Sequence, residues 1–275
     1  MHIVTFRRNG SIQHGARTGD RLQVYPTATS AIDLAVNLTS HAPGEEVALS
    51  EVELLAPIPR PGKVICIGLN YRAHAEEGGF AIPSYPEVFL RVSTSLVGPG
   101  EPILLPECSD KLDWEAELAV VIGRSAFEAA GDPLTRVAGY CCFNDASIRD
   151  YQRKTSQWTM GKNFDGTGAF GADLVTPDEL PQGASGLRIQ SRLNGEVMQD
   201  STTADLIFDV ATLISTLAEV MTLEPGDVIA TGTPSGVGHA RKPPRFMQAG
   251  DEIEIEIEGI GKATNVVARR SEARS

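Results

Sequence analysis

Leu112-Asp113-Trp114-Glu115-Ala116-Glu117-Leu118-Ala119-Val120-Val121-Ile122 is an apolar run with acids set into its leading half. An extended chain sends alternate side chains to opposite faces, so Glu115 and Glu117 share one face of a strand. Two like charges side by side destabilise each other unless something compensates them, and a hard divalent cation with oxygen ligands does so directly. The segment alone leaves a second reading open, an exposed edge strand with Asp113, Glu115 and Glu117 all in solvent. A third acid shifts the balance. Gly139-Tyr140-Cys141-Cys142-Phe143-Asn144-Asp145 is another apolar strand ending on a carboxylate, followed by Ala146-Ser147-Ile148-Arg149-Asp150-Tyr151-Gln152. On a helical turn, Arg149, four residues after Asp145, and Gln152, three further on, project to one side. Three carboxylates with water fit Mg²⁺ or Mn²⁺ and not the thiolate and imidazole set of structural zinc. An arginine and an amide beside them suit an anionic, oxygen-rich substrate.

Outward from these two strands, further runs of strand length appear at Lys63 to Leu69, bounded by glycines and read as buried on both faces, at Glu87 to Val92 and at Ile103 to Leu105. Another, Leu187 to Leu193, turns at Asn194-Gly195, a strong hairpin signal. Leu206, Val210, Leu213, Ile214, Leu217, Val220 and Met221 form one stripe at helical spacing and predict a helix from about Leu206 to Met221. From Asp251 to Glu258 acid and isoleucine alternate, which predicts a half-buried strand whose glutamate face is solvated and needs no metal. The first 55 or so residues read as a strand at Ile3 to Arg7, a turn through Gly10, a strand at Arg21 to Tyr25 and a helix near Ala31 to Leu38. Proline-rich Ala56 to Gly62 interrupts everything, which predicts two domains, 1–60 and 61–275. Many strands, few helices and no regular βαβ alternation predict an α+β, mainly β architecture.

The chain has 275 residues, 41% of them hydrophobic, enough to bury a sizeable core. Against 36 Asp+Glu stand 24 Lys+Arg, a net charge of -12, which argues against nucleic acid or an anionic membrane surface as partner, since both require a basic field. No run approaches the roughly 20 apolar residues of a membrane helix, and charge arrives at Arg7-Arg8 before a signal-peptide stretch forms, so a soluble cytoplasmic protein is expected. The 4 Cys make no CxxC pair, and adjacent Cys141 and Cys142 read as small hydrophobes in a buried strand.

Three further segments carry chemistry. In Gly68-Leu69-Asn70-Tyr71-Arg72-Ala73-His74-Ala75-Glu76-Glu77-Gly78-Gly79, His74 and Glu77 are three apart on a short helix, where a carboxylate orients an imidazole as general base; the competing reading is a surface pair. The glycines and Phe80 to Pro83 beyond resemble a segment that closes over a site. Lys162 sits among glycines and aromatics in Gln157 to Gly168, and Ile229 to Gly238 ends a strand in a glycine- and hydroxyl-rich loop able to offer N–H groups to an oxyanion. Neither has the order of a nucleotide-binding loop.

Taken in order, Ile67-Gly68-Leu69-Asn70-Tyr71-Arg72-Ala73-His74, Phe89-Leu90-Arg91, Ser93-Thr94-Ser95, Glu115-Ala116-Glu117-Leu118, Asn144-Asp145-Ala146-Ser147-Ile148-Arg149-Asp150, Gly161-Lys162-Asn163-Phe164-Asp165 and Thr231-Gly232-Thr233-Pro234-Ser235-Gly236-Val237-Gly238 resemble the fumarylacetoacetate hydrolase family, over about Lys63 to Arg269. The resemblance implies a roll-like β catalytic domain preceded by a small α/β N-terminal domain, usually in a homodimer, with Mg²⁺ or Mn²⁺ held by Glu115, Glu117 and Asp145. It further implies a His74–Glu77 dyad on a lid, Lys162 as the group that polarises the substrate, and Arg149, Gln152, Thr233 and Arg72 as substrate contacts. Gly166 stands where many members have threonine, Arg91 where many have lysine, and Val92 where proline is frequent. The implied activity is metal-dependent hydrolysis of a C–C bond in a 2,4-diketo acid, acylpyruvate- or fumarylpyruvate-like, in aromatic-compound catabolism, with the leaving enolate stabilised by the metal. Decarboxylation of oxaloacetate-like acids and isomerisation of 2-hydroxy-diene-dioates use the same chelate. A non-catalytic metabolite-binding protein, the alternative from another class, would show a broken triad or lack the lysine, and this sequence does neither.

Overall fold

The computed structural model describes residues 1–128 and 131–273. Its centre is the antiparallel pair Ala116–Ile122 and Val137–Asp145, every residue of which is buried. Period two divides this pair between two cores. Leu118, Val120, Ile122, Tyr140 and Cys142 pack into one with Ile253, Ile255 and Ile257, whereas Ala119, Val121, Cys141 and Phe143 pack into the other with Ile3, Leu34 and Cys66.

The pair lies inside a 13-stranded mixed sheet. Along its main path the order is Glu46–Ala48, Arg21–Val24, Ser11–Thr18, His2–Arg8, Asp173–Val175, Val137–Asp145, Ala116–Ile122, Val228–Ala230, Val64–Gly68 and Glu87–Arg91. A 5-stranded sheet of Glu196–Thr202, Arg188–Leu193, Glu252–Ile257, Gly261–Arg269 and Ile103–Leu105 supplies the isoleucines of the first core. Mainly β with segregated helices is therefore the observed class. In Glu252–Ile257 the isoleucines are buried, and Glu254 and Glu256 pair with Arg192 on the next strand. Asn194 (φ 52°) and Gly195 (φ 80°) make the expected tight hairpin.

Three expectations about individual elements change. Leu112 to Ile122 is not one strand: Leu112–Asp113 pairs with Ser147–Ile148, and the chain joins the large sheet only at Ala116. The break arises because the Glu115 N–H donates to the Asn144 side chain (2.9 Å) instead of to a strand carbonyl. Ser11–Thr18 is an additional strand, hidden in the sequence because its outer half is exposed and polar. The helix begins at Val210 and not Leu206, since the Asp209 carboxylate accepts from Thr212 N–H (2.8 Å) as N-cap. The N-terminal strands continue the large sheet. His2 to Val4 pairs with Asp173–Val175, and Ile3, Ala31, Leu34, Ala56 and Ile58 share a core with Val64 and Ala119. Among the described residues no helix is long and apolar enough to cross a membrane.

Candidate active site

The two central strands run antiparallel with Ala116 opposite Asn144, so their ends bring Glu115, Glu117 and Asp145 together. Asp145 N–H donates to Glu115 C=O (2.9 Å), which ties the two acids through the backbone. All three are buried, and one oxygen from each lies within 4.8 Å of the others. Lys162, at the end of the turn Thr159–Lys162, is also buried and donates from Nζ to Glu115 Oε2, to Asp145 Oδ2 (2.6 Å) and to Asp145 C=O (3.2 Å).

One ammonium does not neutralise three carboxylates. Burial raises the Glu115 carboxyl, but the Lys162 and Arg149 charges beside it outweigh this and hold it down to about 2. Glu117 has no cation in contact and takes one N–H bond, from Gly232 (3.0 Å). Burial, reinforced by the charges of Asp145 and Glu115, pushes it well above the carboxylate range. Burial alone would lower Lys162, yet Asp145 and Glu115 raise it. An all-oxygen donor set is what a hard divalent ion requires. Glu115, Glu117 and Asp145 could hold such an ion.

Arg149 opens the helical turn Arg149–Gln152 and reaches Glu115 Oε1 through Nη1 (2.7 Å), Gln152 Oε1 through Nη1 (2.9 Å) and Asp113 Oδ2 through Nε (2.8 Å). Its Nη2 is buried and has no hydrogen-bond partner among the described residues. Across from it, the helix Arg72–Glu77 presents His74, whose Nδ1 lies 3.3 Å from Glu77 Oε2. Glu77 also accepts the Gly236 N–H (3.0 Å) from the glycine-rich loop. Burial raises Glu77, but the His74 and Gly236 hydrogen bonds lower it further, so it is ionised at neutral pH. An ionised acceptor at Nδ1 makes that nitrogen the donor and leaves Nε2 as the basic atom.

His74, Glu77, Glu115, Glu117, Asp145, Arg149, Gln152, Lys162 and Thr233 line a single cavity of about 230 Å³. Thr233 is set there by Gln199, whose Nε2 donates to its hydroxyl (2.8 Å). Arg72 is exposed on the outer side of its helix and does not line the cavity. Ile67, Phe80, Phe89 and Trp158 form its apolar wall, and Gly68 lets Trp158 approach: a Cβ there would come within 2.1 Å of the indole.

Sequence reading gave no role to three residues here. Arg91 is buried and donates to Asp145 Oδ1 (2.5 Å), Thr167 Oγ1 (2.7 Å) and Ser95 Oγ (3.2 Å), so it fixes the acid from the side opposite Lys162. Asp113 is buried, and His239, also in the cavity wall, meets it with Nδ1 at 3.2 Å. Asp113 sits in the same run as Glu115 and Glu117, and the acid at its head was the available signal. Nothing in the local pattern marks His239.

A divalent ion held by the triad would add positive charge to a cavity already lined by Arg149, Arg153 and Lys162, which suits a small anionic ligand. The pattern described as Fumarylacetoacetate (FAA) hydrolase C-terminal matches residues 63–268. Oxaloacetate tautomerase FAHD2A, mitochondrial, of Bos taurus is 45% identical over 221 residues, 79% of this chain and 70% of that protein. Among solved structures, a putative HpcE protein from Mycobacterium smegmatis superposes with a TM-score of 0.85 at 34% identity, covering 98% of this chain and 100% of the other. A 5-carboxymethyl-2-hydroxymuconate delta-isomerase from the same organism reaches 0.83 at 33% identity, with 98% and 100% covered. With its acids, lysine and loop in place along the matched residues, the chain belongs to the fumarylacetoacetate hydrolase family.

Proposed function

We propose that this chain is a divalent-metal-dependent tautomerase that interconverts the keto and enol forms of a small 2-oxo dicarboxylate such as oxaloacetate. The observation that carries the reading is one small cavity in which a carboxylate-oriented imidazole, a buried ammonium and an unpartnered guanidinium N–H meet the acidic triad. His74 Nε2 takes the proton from C3, and the electron pair left behind forms the C2–C3 double bond as the 2-oxo oxygen gains negative charge. The positive charge of Lys162, whose three N–H groups are held by Glu115 and Asp145, stabilises that oxygen electrostatically, and the imidazolium of His74 returns its proton there to complete the enol. Arg149 Nη2 holds a carboxylate of the ligand and fixes C3 relative to His74. Glu115, Glu117 and Asp145 would hold the divalent ion, which would supply Lewis-acid charge to the site. The likeness to an oxaloacetate tautomerase supports this choice.

The apolar wall of Phe80, Phe89 and Trp158 favours a second reading, in which a longer acyl group lies against it. The substrate is then a 2,4-diketo acid, an acylpyruvate as met in aromatic-compound catabolism, and His74 activates water for C–C hydrolysis. The test follows enol absorbance of oxaloacetate, and pyruvate release from oxaloacetate and acetylpyruvate, with Mg²⁺, Mn²⁺ or EDTA. Metal-dependent loss of enol absorbance without pyruvate supports the tautomerase; pyruvate from acetylpyruvate supports the hydrolase, and pyruvate from oxaloacetate alone overturns both in favour of a decarboxylase. A homodimer is part of the proposal, supported by the sheet-edge strand Glu87–Arg91, which leaves Val88 and Leu90 exposed beside Val92; light scattering checks it.

A further inference from the structure

Asp113 is the most heavily bonded carboxylate of the site. Its Oδ1 accepts the N–H groups of Trp114 (2.9 Å) and Gly238 (2.7 Å), and its Oδ2 accepts Arg149 Nε (2.8 Å), His239 N–H (2.9 Å) and His239 Nδ1 (3.2 Å). Both of its oxygens are thus acceptors, filled by backbone and guanidinium N–H groups. His239 Nδ1 is therefore the donor in its bond, and Nε2, on the opposite edge of the ring, has no hydrogen-bond partner among the described residues. Two side chains that line one cavity are thus pinned to one carboxylate oxygen, and each ends in an unused nitrogen, Arg149 Nη2 and His239 Nε2. Glu115 and Gln152 on Arg149 Nη1 stop the guanidinium from turning away.

We propose that Arg149 and His239 form the subsite for the second carboxylate of the ligand, and that His239 is the residue that makes this chain select dicarboxylic over monocarboxylic acids. The inference rests on reading the cavity as a 2-oxo acid site. A carboxylate arriving at Nε2 places the ring between two anions, Asp113 and the ligand. A hydrogen bond from Nε2 to that carboxylate needs a proton on Nε2, so the ring then donates one N–H to each anion. A ligand ending in methyl gives the ring no partner and leaves Arg149 Nη2 unpaired, and a built polar site rejects an analogue that lacks its group.

The test is calorimetric titration of the Mg²⁺-loaded protein with malate and with 2-hydroxybutanoate, which share a four-carbon skeleton and differ in carboxylate against methyl at C4. Neither has a 2-oxo group to enolise, so binding is read whether or not the enzyme turns over. The expected result is a preference for malate of about tenfold or more in the native protein. His239→Gln and His239→Val lose most of that preference while 2-hydroxybutanoate affinity stays within about twofold. Gln retains a donor toward Asp113, so it decides the matter if Val disturbs folding. No preference in the native protein, a preference that survives in the variants, or equal weakening of both ligands overturns the proposal. Malate selectivity without tautomerase activity would sink the proposed reaction and leave the subsite standing; activity without selectivity removes the subsite alone.

Discussion

Replacing Glu117 by glutamine should stabilise the metal-free protein while abolishing its response to metal. The triad's oxygens lie within 4.8 Å of one another, and two unit charges at that distance repel by about 3.5 kcal/mol at an effective dielectric near 20. Glu117 meets two such charges, Glu115 and Asp145, and Lys162 offsets them only in part because it is bonded to both. Glutamine keeps the shape and the acceptor for Gly232 N–H, and offers its NH₂ to the neighbouring carboxylates. Relief of the remaining strain is worth about 2–3 kcal/mol, or roughly 4–10 °C in Tm for a chain of this size. The pH dependence has a definite sign. A carboxyl raised above its unfolded value of 4.5 contributes stability below that value and loses it as pH climbs through the folded value. The metal-free native protein therefore loses this contribution on the alkaline side, and Glu117→Gln does not. Melting curves in EDTA across pH, and again with Mg²⁺ at about 100 times its Kd, where the native protein gains about 2.7 kcal/mol, check both parts. A Glu117→Gln protein that melts below the native one in EDTA, or keeps the native Mg²⁺ shift, refutes the reasoning.

Four more outcomes are expected. His74→Ala removes turnover and leaves Mg²⁺ binding intact by calorimetry, because His74 touches Glu77 and not the triad. Arg91→Leu strips Asp145 of its second cation and should cost about 3–5 kcal/mol in urea unfolding and weaken Mg²⁺ binding, with Arg91→Lys recovering part of both. Gly68→Ala drives a Cβ into Trp158 and so should raise KM; an unchanged KM would mean that the indole does not shape the bound ligand. Deleting residues 1–60 bares the Asp173–Val175 edge and the core under Ala119, so aggregation is expected; cooperative melting of the remainder would instead establish an independent unit starting near residue 61.

How much of this was legible depended on whether the controlling interaction is local. Alternation placed Glu115 and Glu117 on one face and the isoleucines of Glu252–Ile257 on another because strand period is a property of the backbone. Asn194-Gly195 was legible for the same reason, since positive φ at both residues is a local demand. The interruption before Ala116 was not, because it hangs on Asn144, 29 residues further along. Asp113 looked like the outermost acid of an edge strand; its burial depends on Gly238 and His239, 125 and 126 residues away. Arg91 was visible as a departure from lysine, but its partners Asp145 and Thr167 are 54 and 76 residues distant, beyond any periodicity.

The division between strands and turns at the site has a physical sense. Glu117 and Asp145 belong to strands packed on both faces, so their spacing is set by sheet register. His74, Lys162 and His239 come from short helical turns on separate loops, so their placement depends on the contacts they make, Lys162 with Glu115 and Asp145 and His239 with Asp113. The register is in turn enforced by the acids. A one-residue slip of Ala116–Ile122 would move Glu117 from its present face into the core of Leu118, Val120 and Ile253, where no cation waits. An unpaired carboxylate buried there costs several kcal/mol, against a small gain from alternative pairing of the same apolar residues. Apart from Tyr140 and Asn144 the remaining residues of both strands are apolar, and their pattern alone would accept either register. The charges that make the site reactive thus also specify the one pairing in which the site exists.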